Sequence, residues 1–256
     1  MEMKTVTVRG VTLGEGRPKI CVPIVGRTAE EIIAEGEKIA AMKGRGADLC
    51  EWRLDWFDGV WNDGALLDTA GKLRAALGDM PLLATFRTKA EGGVRECDAS
   101  RYTELVCKIC ATGLIDLVDI ELFTGDCRVT EMIGAAHNHG VKTILSNHDF
   151  HATPSHDEIV SRLARMEELG ADVCKIAVMP VERRDVLTLM QATLDRYAES
   201  ETPLITMSMG ALGCVSRLCG ELTGSCLTFG SMSKASAPGQ VPAGKLAEML
   251  DSLALA

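Results

Sequence analysis

The chain has 256 residues, a length that one α/β barrel domain accommodates, so the length does not require two domains. Hydrophobic residues make up 46% and charged residues 25% of the sequence, which is typical of a soluble globular protein, and no apolar run of about 18 residues predicts a membrane-spanning helix. The formal net charge of -9 argues against binding to nucleic acid or to an anionic membrane, although local arginines leave a small anionic substrate open.

The N-terminal segment, MEMKTVTVRGVTLGEG, alternates β-branched and polar residues. It contains neither a long apolar stretch nor a cleavage site, so we expect no signal peptide and a cytoplasmic location. Within this segment TVTV and VTL flank Arg9 and Gly10. The pattern predicts a two-stranded hairpin with its turn near Gly10.

Strand-like and helix-like segments alternate after the hairpin. The predicted strands are KICVPIV (19–25), ADLCEWRL (47–54), PLLATFR (81–87), IDLVDIEL (115–122), VKTILSN (141–147), DVCKIAV (172–178), PLITMSM (203–209) and SCLTFG (225–230). The amphipathic segments between them predict helices, for example AEEIIAEGEKIAAMKGRG (29–46), SHDEIVSRLARMEELG (155–170) and RDVLTLMQATLDRYAES (184–200). Each repeat is therefore a βα unit.

Eight such units predict a parallel sheet closed into a (β/α)₈ TIM barrel, with the N-terminal hairpin closing its bottom. The chain shows no linker or composition shift, so we expect one domain over residues 1–256. An open, doubly wound sheet is the alternative. The first strand-to-helix turn, VPIVGRT, lacks a GxGxxG, which disfavours the dinucleotide-binding form of that fold.

The ten cysteines are scattered through apolar segments of a chain too large to need disulfide bonds for its stability. Cys107 and Cys110 form a CxxC within the helix-like segment YTELVCKICATGL, with no second pair at metal-ligand spacing. We interpret these two cysteines as buried helix residues rather than metal ligands.

Polar side chains cluster at the C-terminal ends of the predicted strands, where the active sites of such barrels lie. They are Glu51, Arg53, Arg87, Asp119, Glu121, His148 and Lys175. The two members of the pairs at 51 and 53 and at 119 and 121 share parity along their strands, so each pair can point into the barrel.

Lys175 is the most informative of these residues, because it stands in the middle of the apolar segment VCKIAVMP. Burial and the nearby cations Arg53 and Arg87 would both favour a neutral amine and lower the lysine pKa. A neutral amine can attack a ketone or aldehyde to form a Schiff base, whose iminium acidifies the adjacent C–H bond. His148, at the end of the preceding strand, suits the general acid/base role because imidazole titrates near neutral pH.

A metal site is the competing interpretation of the histidines. His148 and His151 are three residues apart, and His137 and His139 form a second pair. The second pair precedes a strand and so belongs to the opposite rim, whereas the first would need Asp119 or Glu121 to complete a ligand set. We therefore predict no metal site.

Seven segments of the chain, in order, resemble the type I 3-dehydroquinate dehydratases of the shikimate pathway. They are EWRLDWF (51–57), TFRTKAEGG (85–93), IDLVDIELFTG (115–125), SNHDFHATP (146–154), KIAVMP (175–180), MSMGALGCVSRL (207–218) and KASAPGQ (234–240). The resemblance implies a (β/α)₈ barrel, a homodimer, and the syn elimination of water from 3-dehydroquinate to give 3-dehydroshikimate without a metal or organic cofactor. It also implies that Lys175 forms the Schiff base, that His148 is the acid/base, and that Glu91 positions His148.

The resemblance extends to the substrate-binding residues. It places Glu51, Arg53 and Arg87 near the substrate hydroxyl groups, and Arg217, Ser236 and Gln240 at the carboxylate end, where the SAPGQ loop is expected to close as a lid. One departure concerns Pro23, where many relatives have a serine. Proline has neither a hydroxyl nor an N–H, so any hydrogen bond that relatives make there is absent.

Two rival functions share parts of this pattern. Another class I Schiff-base aldolase or lyase would have the barrel and the lysine, but would usually bind a sugar phosphate in glycine-rich loops after strands seven and eight. A non-catalytic barrel is disfavoured because Glu91, His148 and Lys175 are all present. We predict a hydro-lyase that acts on 3-dehydroquinate.

Overall fold

The N-terminal hairpin is formed as predicted in the computed structural model, which describes residues 4–232 and 236–255. Strands β1 (Val6–Val8) and β2 (Val11–Leu13) pair antiparallel. Arg9 and Gly10 make the two-residue turn with positive φ angles of 46° and 78°. Such angles match the right-handed twist of a tight hairpin, and glycine tolerates them best.

All eight predicted strands are confirmed at close to their predicted bounds. They are β3 (Lys19–Ile24), β4 (Leu49–Arg53), β5 (Leu82–Thr85), β6 (Leu117–Glu121), β7 (Lys142–Asp149), β8 (Val173–Val178), β9 (Leu204–Ser208) and β10 (Leu227–Ser231). A short strand, β11 (Val241–Pro242), pairs parallel with β10.

The strands close into a barrel. Neighbours in chain order from β3 to β9 are parallel, and β10 pairs with β3. Between β9 and β10 the N–H of Cys226 donates to the carbonyl of Leu204 at 2.7 Å, and Leu204 bridges to Ser225. The predicted (β/α)₈ TIM barrel is therefore confirmed, and the open doubly wound sheet is wrong.

The helices surround this barrel. They are α1 (Ala29–Ala40), α2 (Asp63–Leu77), α3 (Ala99–Cys110), α4 (Asp126–Asn138), α5 (His156–Glu168), α6 (Arg183–Glu199), α7 (Gly220–Thr223) and α8 (Ala243–Leu253). Across residues 4–232 and 236–255, no helix has the length and apolar character needed to cross a membrane.

The first helix is shorter than its amphipathic pattern predicts. It begins after Thr28, which forms a capping box with Glu31, but it ends at Ala40 rather than at residue 46. The MKGRG segment forms turns instead, with Gly44 at a φ of +72°. Glycine favours such a turn over continuation of the helix, so the glycine-containing segment 42–46 leaves the helix that the amphipathic pattern predicts.

The barrel interior is filled in layers, and only the upper layers are polar. The bottom layer packs against the hairpin residues Val8 and Leu13 and consists of Cys21, Leu49, Leu83, Leu117, Ile144, Val173, Ile205 and Leu227. An ion pair of 2.6 Å connects Arg9 of the hairpin to Asp116, the residue before β6. The hairpin closes the bottom, as predicted, and the polar residues two positions further along the strands lie at the C-terminal end.

Candidate active site

A cavity of about 50 Å³ opens at the C-terminal end of the barrel and is lined by all nine residues to which the sequence analysis gave a catalytic or substrate-binding role. Those residues are Glu51, Arg53, Arg87, Glu91, His148, Lys175, Arg217, Ser236 and Gln240. Apolar walls come from Phe150, Met207, Met209 and Phe229. Six strands and several of the segments that follow them contribute side chains to one cavity, which makes this the candidate active site.

A larger depression of about 570 Å³ lies outside the barrel, against Glu91 and Tyr102. It is open and is lined by neither Lys175 nor His148 within the described part of the chain. Size therefore does not identify the reactive cavity here; the chemistry of the lining does.

Lys175 lies in the middle of β8 with only 3% of its surface exposed. Its Nζ atom donates to Oδ2 of Asp119 at 3.0 Å and stands 4.7 Å from the centre of the Phe229 ring. The sequence interpretation considered the two arginines as the charged neighbours of this amine and gave Asp119 no role. The structure adds a carboxylate in direct contact with the amine.

Asp119 is completely buried and accepts three hydrogen bonds. Besides the bond from Lys175, its Oδ1 accepts from Nη2 of Arg87 at 2.6 Å and from Oγ of Ser146 at 2.6 Å. Burial opposes ionisation of this carboxyl, but Arg87 and Lys175 outweigh that effect and hold its pKa below the usual range. Asp119 is thus an anion between two cations at the floor of the cavity.

His148 is held by Glu91 through two contacts. Oε2 of Glu91 accepts from the His148 backbone N–H at 2.9 Å and lies 3.0 Å from the ring atom Nδ1. Because an ionised carboxylate only accepts, Nδ1 carries the proton and Nε2 is left as the basic atom. Burial lowers the pKa of His148 well below its ordinary value, and Arg87 and Lys175 lower it further. These surroundings favour the neutral form of the ring over the imidazolium.

Glu91 comes from a short 3₁₀ turn, Lys89–Glu91, that follows β5. The turn ends at Gly92, whose φ is +87°. A Cβ atom at this position would lie 2.2 Å from the Phe150 ring, so the close approach of the backbone to this ring requires the glycine of the AEGG sequence. Burial raises the pKa of Glu91 to about 7, against the opposing effect of Arg87 at 3.5 Å.

The arginines on the cavity rim already have carboxylate partners. Arg53 makes a bidentate pair with Asp55, using Nε and Nη2 at 2.8 Å each. Arg87 donates from Nη1 to Glu121 at 2.8 Å. Asp55 was not predicted from the sequence as a partner of Arg53, although its position two residues after Arg53 at the end of the strand indicated that it could be one.

Arg217 differs from the other two arginines. It is 1% exposed, and within residues 4–232 and 236–255 no carboxylate pairs with it. Its Nη2 donates to the carbonyl of Pro238 at 3.2 Å, and its Nη1 approaches the Met207 sulfur at 3.6 Å. Burial lowers the pKa of Arg217 to about 10. A buried cation of this kind is suited to bind an anion.

The loop that carries Ser236 and Gln240 covers one side of the cavity. The two residues bond to each other, from Ser236 N to Oε1 of Gln240 at 2.9 Å and from Nε2 of Gln240 to Oγ of Ser236 at 3.0 Å. Gly239 has a φ of +79° and packs on the backbone of Gly210, where a Cβ atom would be 2.3 Å from the carbonyl oxygen. Residues 234 and 235 of the KASAPGQ motif lie outside the described residues.

The other histidines are not in the cavity. His151 is exposed, and His137 pairs with Asp172 at the opposite rim. Over the part of the chain that the structure describes, no group of three or more acidic, histidine or cysteine side chains has the arrangement of a metal site. Pro23 is buried in β3 next to Glu51 of β4 and is not among the described residues that line the cavity.

Comparison with known proteins agrees with the geometry. The family model described as type I 3-dehydroquinase matches residues 20–255. The 3-dehydroquinate dehydratase of Clostridioides difficile is 47% identical over 98% of this chain and 97% of its own, and that of Salmonella typhimurium is 47% identical over 98% and 99%. A crystal structure of the Clostridium difficile type I enzyme with covalently modified comenic acid superposes with a TM-score of 0.94 at 47% identity over 98% of both chains. The Geobacillus kaustophilus 3-dehydroquinate dehydratase has a TM-score of 0.94 at 37% identity, over 98% of this chain and 96% of its own.

Proposed function

The chain belongs to the type I 3-dehydroquinase family, and on that premise we propose that Lys175, His148 and Glu91 carry out its reaction. The reaction is the dehydration of 3-dehydroquinate to 3-dehydroshikimate, a hydro-lyase step of the shikimate pathway. The observation that supports these roles most directly is a buried primary amine at the cavity floor, one layer below an imidazole whose Nδ1 is held by a carboxylate.

Lys175 is the nucleophile. The neutral form of its amine attacks the C3 ketone, and the carbinolamine loses water to leave an iminium linked to Nζ. The iminium withdraws electrons from the adjacent C2, so that a proton there becomes acidic. Its positive charge develops next to Asp119, which stabilises it in place of the ammonium charge.

His148 moves the proton. The neutral Nε2 atom takes the C2 proton, and the resulting enamine expels the C1 hydroxyl, which leaves as water with the proton that the imidazolium returns. Because the same imidazole acts on the C2 proton and on the C1 hydroxyl, both groups leave from one face of the substrate ring, which is a syn elimination. Glu91 holds Nδ1–H and stabilises the imidazolium between the two transfers. Water then hydrolyses the product iminium and releases Lys175.

Arg217 binds the substrate carboxylate, with Ser236 and Gln240 on the loop beside it. The Nε atom of the buried guanidinium has no hydrogen-bond partner among the described residues, and Nη2 has a second hydrogen besides the one that it donates to Pro238, so these two atoms can bind a carboxylate together. At the other end of the cavity Glu51 accepts a hydrogen bond from Thr85 at 2.8 Å and retains acceptor capacity for a hydroxyl. Arg53 and Arg87 lie beside it, with their carboxylate partners fixing the orientation of the guanidinium groups.

Loop 236–240 acts as a lid. The cavity volume of about 50 Å³ is far below the several hundred Å³ of most small-molecule sites, so a wall of the cavity has to move to admit the substrate. This loop forms a side of the cavity without belonging to a barrel strand. It is held to the barrel by the backbone hydrogen bond from Gly210 N to Pro238 O at 3.2 Å. We expect it to open for exchange and to close over the bound acid.

The wider setting of the enzyme follows the same proposal. The chain forms one domain, works as a homodimer in the cytoplasm, and binds neither nucleic acid nor membrane, as its net charge of -9 favours. Its partner is the small-molecule substrate.

The decisive experiment combines 3-dehydroquinate with borohydride. Without reductant, the conjugated enone of the product should give a rise in ultraviolet absorbance. With borohydride, mass spectrometry of peptides should find the reduced adduct on Lys175, and Lys175→Ala should abolish both signals. Lys89→Ala is the control, because Lys89 is exposed and pairs with Glu96. An adduct at Lys89, or no absorbance change with the wild-type enzyme, would overturn the proposal.

A further inference from the structure

Asn147 stands next to the catalytic histidine but on the other face of β7, where it is 3% exposed and does not line the described cavity. Both ends of its amide are bonded to charged groups. Its Nδ2 donates to Oε1 of Glu91 at 3.3 Å, and its Oδ1 accepts from Nη1 of Arg162 at 2.8 Å. Asn147 therefore joins Glu91 to a helix outside the barrel.

The chemistry of the partners permits only one orientation of this amide. A guanidinium only donates, so the oxygen of Asn147 has to face Arg162. The NH₂ group then has to face Glu91, whose ionised carboxylate only accepts. The hydrogen bonds thus run in one direction from Arg162 through Asn147 to Glu91, and Nδ1–H of His148 donates to the same carboxylate from the other side.

Arg162 is itself fixed on α5 by two further contacts. Its Nε donates to Glu158 one turn earlier at 2.7 Å, and its guanidinium lies 5.3 Å from the centre of the Phe123 ring. These contacts hold the long Arg162 side chain in one conformation, so less conformational entropy is lost when it bonds to Asn147.

We propose that Asn147 and Arg162 are positioning residues of this enzyme, which keep Glu91 anionic and its Oε2 aimed at Nδ1–H of His148. The inference rests on the proposed roles of Glu91 and His148. It extends the acid/base pair to four residues, and the two added residues do not line the described cavity.

The charged groups around Glu91 explain why a hydrogen bond from a neutral donor is needed to keep this carboxylate ionised. Facing it are Arg87 at 3.5 Å, His148, and the carboxylates of Glu121 and Asp119. Burial and the two carboxylates raise the Glu91 pKa, whereas the bond from Asn147 lowers it. Loss of that bond should therefore raise the Glu91 pKa further, so that a smaller fraction is ionised at neutral pH.

The test compares Asn147→Asp, Asn147→Leu, Arg162→Gln and Arg162→Lys with the wild-type enzyme in kcat and KM across pH. The acidic limb of kcat should move to higher pH, with kcat at neutral pH reduced at least about 10-fold and KM little changed. Asn147→Asp should reduce kcat at neutral pH more than Asn147→Leu does. Aspartate has the shape of asparagine, but it places a second anion against Glu91. Arg162→Lys should recover part of the activity that Arg162→Gln loses.

Arg165→Gln is the matched control on the same helix, since Arg165 pairs only with the surface residues Asp126 and Glu168 among the described acids. It should leave the pH profile unchanged. Arg162→Gln keeps the test valid if Asn147→Leu does not fold, because the Arg162 side chain is 20% exposed.

Borohydride trapping separates this inference from the proposed function. If the variants still form the Lys175 adduct but Asn147→Asp and Arg162→Gln keep the wild-type pH profile, the positioning role is refuted and the proposed mechanism stands. If the wild-type enzyme forms no adduct on Lys175, the proposed mechanism itself fails.

Discussion

The Nζ atom of Lys175 lies 3.0 Å from Oδ2 of Asp119, and neither side chain is more than 4% exposed. The other oxygen of Asp119 is bound by Arg87, so a single carboxylate lies between two buried cations. A buried charge is costly unless it is paired, and the loss of one partner leaves the others uncompensated. Asp119 therefore stabilises the fold at the same point at which it holds the nucleophile.

Asp119→Asn should lower both stability and activity. We expect the free energy of unfolding to fall by about 3 kcal/mol, because Arg87 and Lys175 lose a shared anion in a buried site. We expect kcat to fall about 100-fold, because the iminium also loses its counter-charge. Urea unfolding and the ultraviolet assay of product formation measure the two effects separately.

Asp116→Asn provides the matched control on the same segment of chain. Asp116 also pairs with two cations, Arg9 and Arg74, but at the bottom of the barrel. Its loss should lower stability without changing kcat. An equal loss of kcat in both variants would assign the effect of Asp119 to folding alone.

Strand parity explains why most of the site was predictable from the sequence. Parity directed the pairs at 51 and 53 and at 119 and 121 into the barrel, and Lys175 and His148 were placed at the same rim because they lie in the C-terminal half of a predicted parallel strand or directly after it. The structure confirms that Lys175 and His148 lie together in one cavity. Parity does not give the height at which neighbouring strands pair. The contact between Lys175 and Asp119 spans β7 and depends on that register, so Asp119 could be recognised as inward-facing but not as the partner of the amine.

Other parts of the site carried no pattern from which they could be derived. Glu91 lies in a turn without periodicity, and only the family resemblance assigned it a role. Asn147 points away from the cavity, and Arg162 lies on the polar face of a helix, where a charged residue is usually just solvated. The three come together through side-chain bonds between distant segments, which no local rule of sequence predicts.

His148→Ala should separate imine formation from turnover. The variant keeps Lys175 and its contact with Asp119, so borohydride should still trap the substrate. Turnover should be at least about 100-fold slower, because no second imidazole lines the described cavity to replace Nε2. His151→Ala is the control, since His151 is exposed three residues further on, and it should turn over at the wild-type rate. Near-normal turnover of His148→Ala would move the base to another group.

Glu91→Gln should change how stability depends on pH. The pKa of Glu91 is raised in the folded protein from its ordinary 4.5 to about 7, so the folded state binds more protons than the unfolded state between these values. The contribution of Glu91 to the stability of the wild-type enzyme is therefore greatest below pH 4.5, and this contribution is lost as the pH rises to about 7. Removing the carboxyl should make the variant progressively more stable relative to wild type over that interval.

The depressed pKa of His148 acts in the opposite direction, because protonation below its ordinary value of 6.5 favours unfolding. The ring is present in both proteins, so its contribution largely cancels in the difference. Glu96→Gln is the control: Lys89 lowers the pKa of Glu96, so any trend should have the opposite sign. Chemical unfolding at several pH values measures both variants. A stability difference for Glu91→Gln that does not change between pH 4.5 and 7 would contradict the raised pKa.

Arg217→Met should strengthen the substrate-free fold while it weakens substrate binding. A buried guanidinium without a carboxylate partner is costly, so an apolar side chain of similar length should raise the free energy of unfolding by about 1 to 3 kcal/mol. The substrate carboxylate loses its bidentate partner, and KM should rise at least about 100-fold, with a smaller effect on kcat.

Arg196→Met distinguishes this effect from the general result of removing a buried arginine. Arg196 is also buried, at 8% exposed against 1% for Arg217, but it forms an ion pair with Glu167. Its loss leaves that carboxylate without a cation and should destabilise the enzyme while KM stays the same. Urea unfolding without substrate and steady-state kinetics give the two readouts. If Arg217→Met were destabilised like Arg196→Met and kept the wild-type KM, then Arg217 would be a structural residue, and the carboxylate would have to bind elsewhere. The opposite signs in stability follow from one difference between the two sites: the anion that balances Arg196 is part of the chain, whereas the anion that balances Arg217 is the substrate.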